Sequence, residues 1–404
     1  MKTSKKLYCR TFQAVMHLGD VFMPWRKPQL LEGAGAVAKL PDLIKSKSIS
    51  RILLVTDKAL LELKLTDSLQ KGLENAGIQC VIYAGVQPNP TIDNVEEALA
   101  LYKSENCQGI IGFGGGSSMD CAKACGARVA RPNKSISQMK GLFKVTRKLP
   151  PFFTVPTTAG TGSETTVASI ITDPVTHCKY AINDLSLISH YAVLDPLLTT
   201  GLPGHITSTT GMDALTHAVE AYIGRSNNDE TRKNARAAVK LIFENLYNAY
   251  IDGSDIIARE NMLKASFLAG TAFTRAYVGY VHAIAHTLGG LYGVPHGYAI
   301  AVIQPQMLRA YGESVHKPLS ELADLIGLSG ANFTTMKEKS EHFIEAIEEM
   351  NHKMGIPAKF TEIKKKDIPL MAKYADAEAN PLYPVPKLMD KKELEGFIET
   401  LMEI

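Results

Sequence analysis

Histidine and carboxylate spacing in the second half of the chain suits metal coordination. Asp213-Ala-Leu-Thr-His217 places a carboxylate and an imidazole four residues apart, on one face of a helix. His282-Ala-Ile-Ala-His286 repeats that spacing with two imidazoles, and Gly293-Val-Pro-His296-Gly sets another imidazole at a turn. A single histidine is usually a hydrogen-bonded core or surface residue, but two such pairs plus His296 in one helical region point to a metal. Nitrogen and oxygen donors without thiolate suit Fe(II), Zn(II), Co(II) or Mn(II). Five candidates exceed a four-ligand site, so one stands beside the ion as a hydrogen-bonding partner or proton relay; spacing does not say which.

The first half offers phosphate chemistry. Gly109 to Phe113 reads as a strand running into Gly114-Gly115-Gly116-Ser117-Ser118-Met119-Asp120 and then a helix. Glycines let the backbone approach an anion, and a helix N-terminus directs free N–H groups at it. The bland alternative is a tight strand-to-helix turn. Pro156-Thr-Thr-Ala-Gly-Thr-Gly-Ser-Glu164 follows another strand and places hydroxyls where α/β sheets bind ligands. Gly33-Ala-Gly35-Ala-Val-Ala38 also fits the dinucleotide fingerprint, with Asp57 22 positions after Gly35. The run before it, Gln29 to Glu32, has little β-branched character, so the triple glycine is favoured for the pyrophosphate. Asp57 closes a strand of the same sheet and suits a ribose 2′-hydroxyl, which leans toward NAD.

The elements that must position these groups divide the chain. Strands are expected at 51–56, 80–83, 109–113 and 151–155, with helices at 65–75 and 91–105, a pattern of βαβ units and a parallel sheet. Beyond Ile206 helical periodicity takes over: long helices are expected at 229–250 and 335–354, with a buried stretch at 258–283. Turn residues at Gly201-Leu-Pro-Gly204 set a boundary, giving an α/β domain over 1–201 and an all-helical domain over 202–404. Residues 131–150 are expected to form an exposed loop. There is no internal repeat and no low-complexity tract.

Among 404 residues, 45% hydrophobic and 21% charged with a net charge of +3, basic residues are scattered, so no nucleic-acid footprint is expected; Lys364-Lys365-Lys366 reads as a solvated helix end. No signal peptide or membrane span is expected. Cys9, Cys80, Cys107, Cys121, Cys125 and Cys178 form no CxxC pair, and Cys121 and Cys125, one turn apart, read as small core residues; a reducing cytoplasm fits.

Taken together, PTTAGTGSE (156–164), GMDALTHAVEAY (211–222), HAIAHTLGGLYGVPHG (282–297), GGGSSMDCAK (114–123) and QPNPTI (87–92) resemble the signature segments of the iron-containing (group III) alcohol dehydrogenases, in the same order. The resemblance implies an α/β dinucleotide-binding domain with a parallel sheet plus an all-α domain, an architecture shared with dehydroquinate synthase. It implies metal ligation by Asp213, His217, His282 and His296, with His286 beside the site as a proton-relay candidate and Phe273 as an apolar wall near the substrate. It implies that Asp57, Asn89, Gly115, Gly116, Ser117, Asp120, Thr157, Thr158, Thr166 and Lys179 line the dinucleotide. Many members have proline where Ser118 stands, a departure expected to alter loop stiffness rather than cofactor binding. The segment 1–29 precedes the recognisable core.

The implied activity is reversible hydride transfer between NAD, with NADP as the alternative, and a primary alcohol, diol or aldehyde, with the metal, Fe(II) or alternatively Zn(II), as Lewis acid and the two cofactors meeting in an interdomain cleft. A homodimer or larger homo-oligomer is expected. Glycerol dehydrogenases and dehydroquinate synthases share this architecture, and the second would accumulate no NADH. A nucleotide-binding scaffold with structural zinc would favour thiolate ligands, and no cysteine lies near the histidines.

Overall fold

The computed structural model describes residues 1–174, 179–328 and 334–403. Cys178 lies outside them. The chain divides into two compact units: residues 24–202 with 253–270, and residues 1–23 with 203–252 and 271–404. A single cut after residue 201 departs from this division in two places. The first 23 residues belong with the C-terminal unit, and 253–270, the start of a long helix, belongs with the sheet.

The first unit holds a six-stranded, all-parallel sheet in the order β1-β9-β6-β4-β2-β3, built from β1 (Gln29–Glu32), β2 (Arg51–Val55), β3 (Gln79–Tyr83), β4 (Gly109–Gly114), β6 (Phe152–Pro156) and β9 (Tyr191–Leu194). A small sheet joins β5 (Gly141–Leu142), β8 (Lys179–Asn183) and β7 (Ala168–Thr172). The helices of this unit include α2 (Leu40–Ser46), α3 (Lys58–Glu62), α4 (Asp67–Asn75), α5 (Ile92–Ser104) and α6 (Gly116–Ala130). Strand residues alternate between the two faces as the pleat requires. Leu53 and Val55 join α5 and α6 in one core, while Ile52 and Leu54 join α2 and α4 in the other. Each buried aliphatic side chain contributes roughly 1.5–3 kcal/mol, so the doubly covered sheet is a rigid base for loops at its strand ends.

Helix α4, between β2 and β3, covers one face, and α6, following β4, covers the other. The carboxyl ends of β2 and β4 therefore flank the topological switch point where such sheets bind ligands.

Two local expectations change. Gln29–Glu32 is a strand, paired in parallel with β9 at the sheet edge and largely exposed; edge strands lack the two-sided burial that selects β-branched residues. Residues 131–150 are not simply an exposed loop, because Ile136, Met139 and Val145 are fully buried and Gly141–Leu142 pairs with β8.

The second unit is helical: α1 (Thr3–Val21), α7 (Gly204–Ile223), α8 (Asp229–Ile251), the end of α9 (Ile256–Ala276), α10 (Tyr280–Tyr292), α11 (His296–Tyr311), α12 (Glu313–Leu325), α13 (Met336–Lys353), α14 (Ile368–Ala379) and α15 (Lys391–Thr400). Among the described residues it contains no strand beyond β9. From Gly211 to Ile223 α7 is buried on every side, so any polar group there must find its partner inside. The buried stretch 258–283 is two helices, broken at 277–279, where Tyr277 takes a φ of 65°. No helix among the described residues is long and apolar enough to cross a membrane.

Candidate metal centre and nucleotide loops

Three helix segments converge on Asp213. Helix α7 supplies Asp213 and His217; α10 supplies His282 in its first turn; His296 opens α11. Gly293, with φ 68°, ends α10 in the left-handed cap conformation, and Pro295 then starts the next helix. Gly297 lies against α7 so closely that a Cβ there would stand 2.5 Å from the Thr209 carbonyl oxygen. Only glycine permits that approach, and it brings His296 to Asp213.

Asp213 Oδ1 stands 3.5 Å from His296 Nε2, 3.6 Å from His282 Nε2 and 3.9 Å from His217 Nδ1. Ligand atoms of Asp213, His217 and His282 all lie within 4.8 Å of one another. Asp213 Oδ1 and His282 Nε2 are buried and make no hydrogen bond. Polar atoms buried without partners cost on the order of 1–3 kcal/mol each, so this cluster is built for something else. Ligand atoms about 2.1 Å from one tetrahedral cation stand about 3.4 Å apart, close to the spacings seen. The residues present therefore fit a divalent cation held by three imidazoles and one carboxylate.

Electrostatics agree with that donor set. Burial alone would raise the Asp213 carboxyl, but His217, His296 and His282 outweigh it and hold it well below the usual carboxylate range. Burial, helped by the neighbouring imidazoles, pushes His296 down to about 3. Burial also opposes charge on His282, yet the Asp213 and Glu220 carboxylates bring it up to about 9.

The sequence reading missed Glu220. One turn after His217, its Oε2 is 2.6 Å from His282 Nδ1 and accepts from Gly279 N at 2.7 Å, while Oε1 accepts from Val281 N at 3.0 Å. This carboxylate caps the positive end of α10 and orients a candidate ligand at once. An acid inside the otherwise apolar run His217-Ala-Val-Glu-Ala-Tyr222 was the available signal.

His286 takes a different place. Its Nδ1 is 2.7 Å from Glu378 Oε1, which also accepts from the Tyr383 hydroxyl at 2.8 Å, and its ring stacks on His296 at 5.2 Å. Glu378 and Tyr383 are distant in sequence, and no local spacing pointed to them. Phe273 stacks on His217, with ring centroids 4.0 Å apart and planes 11° apart.

In the other unit, the loops after β4 and β6 pack together. Thr157 N donates to the Gly114 carbonyl, and a Cβ on Gly116 would come within 2.9 Å of Thr161 Cγ2. Gly115 precedes α6 and lies beside Thr158. Ser117 Oγ accepts from Asn89 N at 3.3 Å, and Asn89 Oδ1 accepts from Lys179 Nζ at 2.8 Å, so these residues share one rim. Asp57 follows β2 across the switch point and accepts from Leu60 N at the start of α3.

Asp120 and Thr166 act inside this frame. Asp120 accepts from Ser163 Oγ at 2.9 Å and from Ile170 N at 3.0 Å. Thr166 Oγ1 accepts from Lys123 Nζ at 2.7 Å, and Lys123, fully buried, also donates to the carbonyls of Thr166 and Ala168. Both brace the loop after β6 against α6. The competing fingerprint at 33–38 is already occupied by the protein itself, since Gly35 N and Val37 N donate to the buried Asp195 carboxylate at 3.0 and 3.1 Å.

Residues 28–196 match the family described as iron-containing alcohol dehydrogenase, and residues 207–402 match its C-terminal domain. The 1,3-propanediol dehydrogenase of Klebsiella pneumoniae is 40% identical over 352 residues, covering 86% of this chain and 90% of its own. The NAD-dependent methanol dehydrogenase of Bacillus methanolicus is 36% identical over 358 residues, covering 88% and 93%. A crystal structure of a 1,3-propanediol oxidoreductase superimposes with a TM-score of 0.90 at 36% identity, covering 94% of this chain and all of that one.

Proposed function

The chain belongs to the iron-containing alcohol dehydrogenase family, and we propose that it oxidises a short primary alcohol or diol, reversibly, with NAD as hydride acceptor and Fe(II) at Asp213, His217, His282 and His296. The observation that carries this reading is the buried, unbonded Asp213 Oδ1 ringed by three imidazole nitrogens. A diol among the substrates is supported by the 40% identity to a 1,3-propanediol dehydrogenase. A divalent cation bound there supplies Lewis acidity toward an alcohol or carbonyl oxygen, and bound NAD supplies the hydride acceptor.

The chain's own residues do the rest. Glu220 takes the Nδ1 proton side of His282 and so keeps Nε2 turned toward Asp213. Glu378 likewise holds His286 at Nδ1, leaving Nε2 to accept the alcohol proton. Phe273 covers His217 with an apolar ring that keeps water from that side. Asn89, Gly115, Gly116, Ser117, Thr157, Thr158 and Lys179 line the dinucleotide, braced by Asp120 and Thr166. Asp57 accepts from a ribose hydroxyl and repels a 2′-phosphate, which favours NAD over NADP.

A cytoplasmic location is supported by the free cysteines among the described residues, Cys9, Cys80, Cys107, Cys121 and Cys125. A homo-oligomer is supported by the exposed apolar side chains along α1 (Leu7, Tyr8, Val15 and Leu18), and light scattering would measure it. The activity test is metal removal followed by anaerobic Fe(II), or Zn(II), with NADH absorbance followed on 1,3-propanediol, ethanol and butanol. Fe(II)-restored turnover with NAD preferred is expected. No NADH with any metal or alcohol would refute the reading.

A further inference from the structure

Helix α1 lies outside both stretches that match the family, 28–196 and 207–402, yet it is bonded to a segment inside the second. Arg10 donates through Nη1 to the Val385 carbonyl at 2.8 Å and through Nη2 to the Pro386 carbonyl at 2.9 Å. Gln13, only 5% exposed, donates through Nε2 to the carbonyls of Pro381 at 3.0 Å and Tyr383 at 2.7 Å. A further bond of 2.9 Å, from Arg10 Nη1 to Gln13 Oε1, fixes the two side chains to each other. The segment carries prolines at 381, 384 and 386. Prolines have no N–H and form no ladder of their own, so α1 provides donors for a stretch of backbone that has few.

What the segment presents is Tyr383. Its hydroxyl donates to the Glu378 oxygen that lies 2.7 Å from His286 Nδ1. On its other side, Pro384, Val385 and Pro386 line a narrow crevice together with Glu220 and Gly279. The segment thus adjoins both carboxylates that hold imidazoles of the candidate metal centre.

We propose that α1 is a positioning element for the dehydrogenase site: Arg10 and Gln13 hold residues 381–386 where Tyr383 and Glu378 fix the His286 ring beside His296. This rests on the reading of His286 as part of that site. Among the described residues, the side chains of Arg10 and Gln13 bond only to the backbone of 381–386 and to each other, so in this proposal they act through Tyr383.

The test uses the full chain with Gln13→Leu, Tyr383→Phe and the two combined. Leucine keeps the bulk of Gln13 and removes the donor to both carbonyls. In metal-stripped protein, amide hydrogen exchange across 381–386 should speed up in Gln13→Leu; unchanged exchange overturns the grip, whatever the enzyme's turnover. In loaded protein, Gln13→Leu should lower kcat about tenfold at equal metal content, with KM within about twofold, the scale expected for groups behind a site's first contacts. Added to Tyr383→Phe, the same change should cost less than about twofold, because the route is already broken. Fully multiplicative losses would mean that α1 acts only on general stability, and would overturn the proposal. His286→Ala separates the role of His286 from the route through Tyr383. If it leaves kcat intact, the reading of the site fails; if it lowers kcat while Tyr383→Phe does not, the positioning route fails.

Discussion

Replacing Glu220 separates two jobs done by one carboxylate. Its Oε1 accepts from Val281 N, while Oε2 accepts from Gly279 N and meets His282 Nδ1. Glutamine preserves the shape but has one acceptor oxygen. Turned to keep Gly279 and His282, it points its amide at the Val281 N–H and strands one buried donor, a cost of about 1–3 kcal/mol. Alanine strands two backbone donors and the imidazole, so the metal-free protein should lose at least about 3 kcal/mol. The second job appears only with metal. Loss of a carboxylate behind a ligating imidazole weakens metal binding about tenfold to a hundredfold, or about 1.4–2.8 kcal/mol of metal-linked stability. Glutamine, which still accepts from Nδ1, should fall near the lower figure and alanine near the upper. Urea unfolding of stripped and loaded protein measures both jobs, and chelator competition gives the affinity directly. Metal affinity within about twofold of wild type in both variants would refute the link to His282. Wild-type unfolding of the stripped alanine variant would refute the argument from burial.

Other substitutions probe neighbouring parts of the same reasoning. A Cβ at Gly279 would stand 2.6 Å from Glu220 Oε1, so Gly279→Ala should reproduce the loss of metal affinity without altering any of the four candidate ligands, as read by chelator competition. Asp57→Ala should raise the KM for NAD and shift the NADP-to-NAD ratio of kcat/KM upward by about tenfold; an unchanged ratio would remove Asp57 from the ribose. Burial pushes Glu164 up to about 7 from 4.5, so the folded chain holds a proton there that the unfolded chain has released. Its contribution is therefore lost as pH rises from 4.5 to 7, on the order of 3 kcal/mol. Urea unfolding should show wild type losing ground to Glu164→Gln across that window. Cys121 and Cys125 are fully buried, and burial raises both thiols; a thiol reagent should modify them in the native protein only at the rate of opening.

What the sequence could express was short-range. Asp213 and His217 share a face of α7 because they are four residues apart, and three consecutive glycines, Gly114 to Gly116, mark the turn from β4 into α6. Edge strands and polar segments carry a weaker signal, because burial shapes their composition on one side only. Gln29–Glu32 pairs with β9 on a single side, so its composition carries little of the burial that marks β2 or β4. The apolar residues at 136, 139 and 145 were outweighed by the charges around them, although each is buried. The break between α9 and α10 could not be read from periodicity, because its reason lies elsewhere in the chain. Opening the helix at 277–279 frees Gly279 N and Val281 N to meet Glu220, a residue about sixty positions away. His286 shows the same limit more sharply. Its spacing from His282 makes it look like a fourth or fifth ligand, and only its partner Glu378, 92 positions on, turns Nδ1 to a different task. The candidate ligands are marked by local spacing, whereas the hydrogen bonds that set His282 and His286 apart come from two carboxylates and a tyrosine that the fold brings in. Substituting those three should therefore sort the histidines by role more cleanly than substituting the histidines themselves, since each imidazole is retained while the group that orients it is lost.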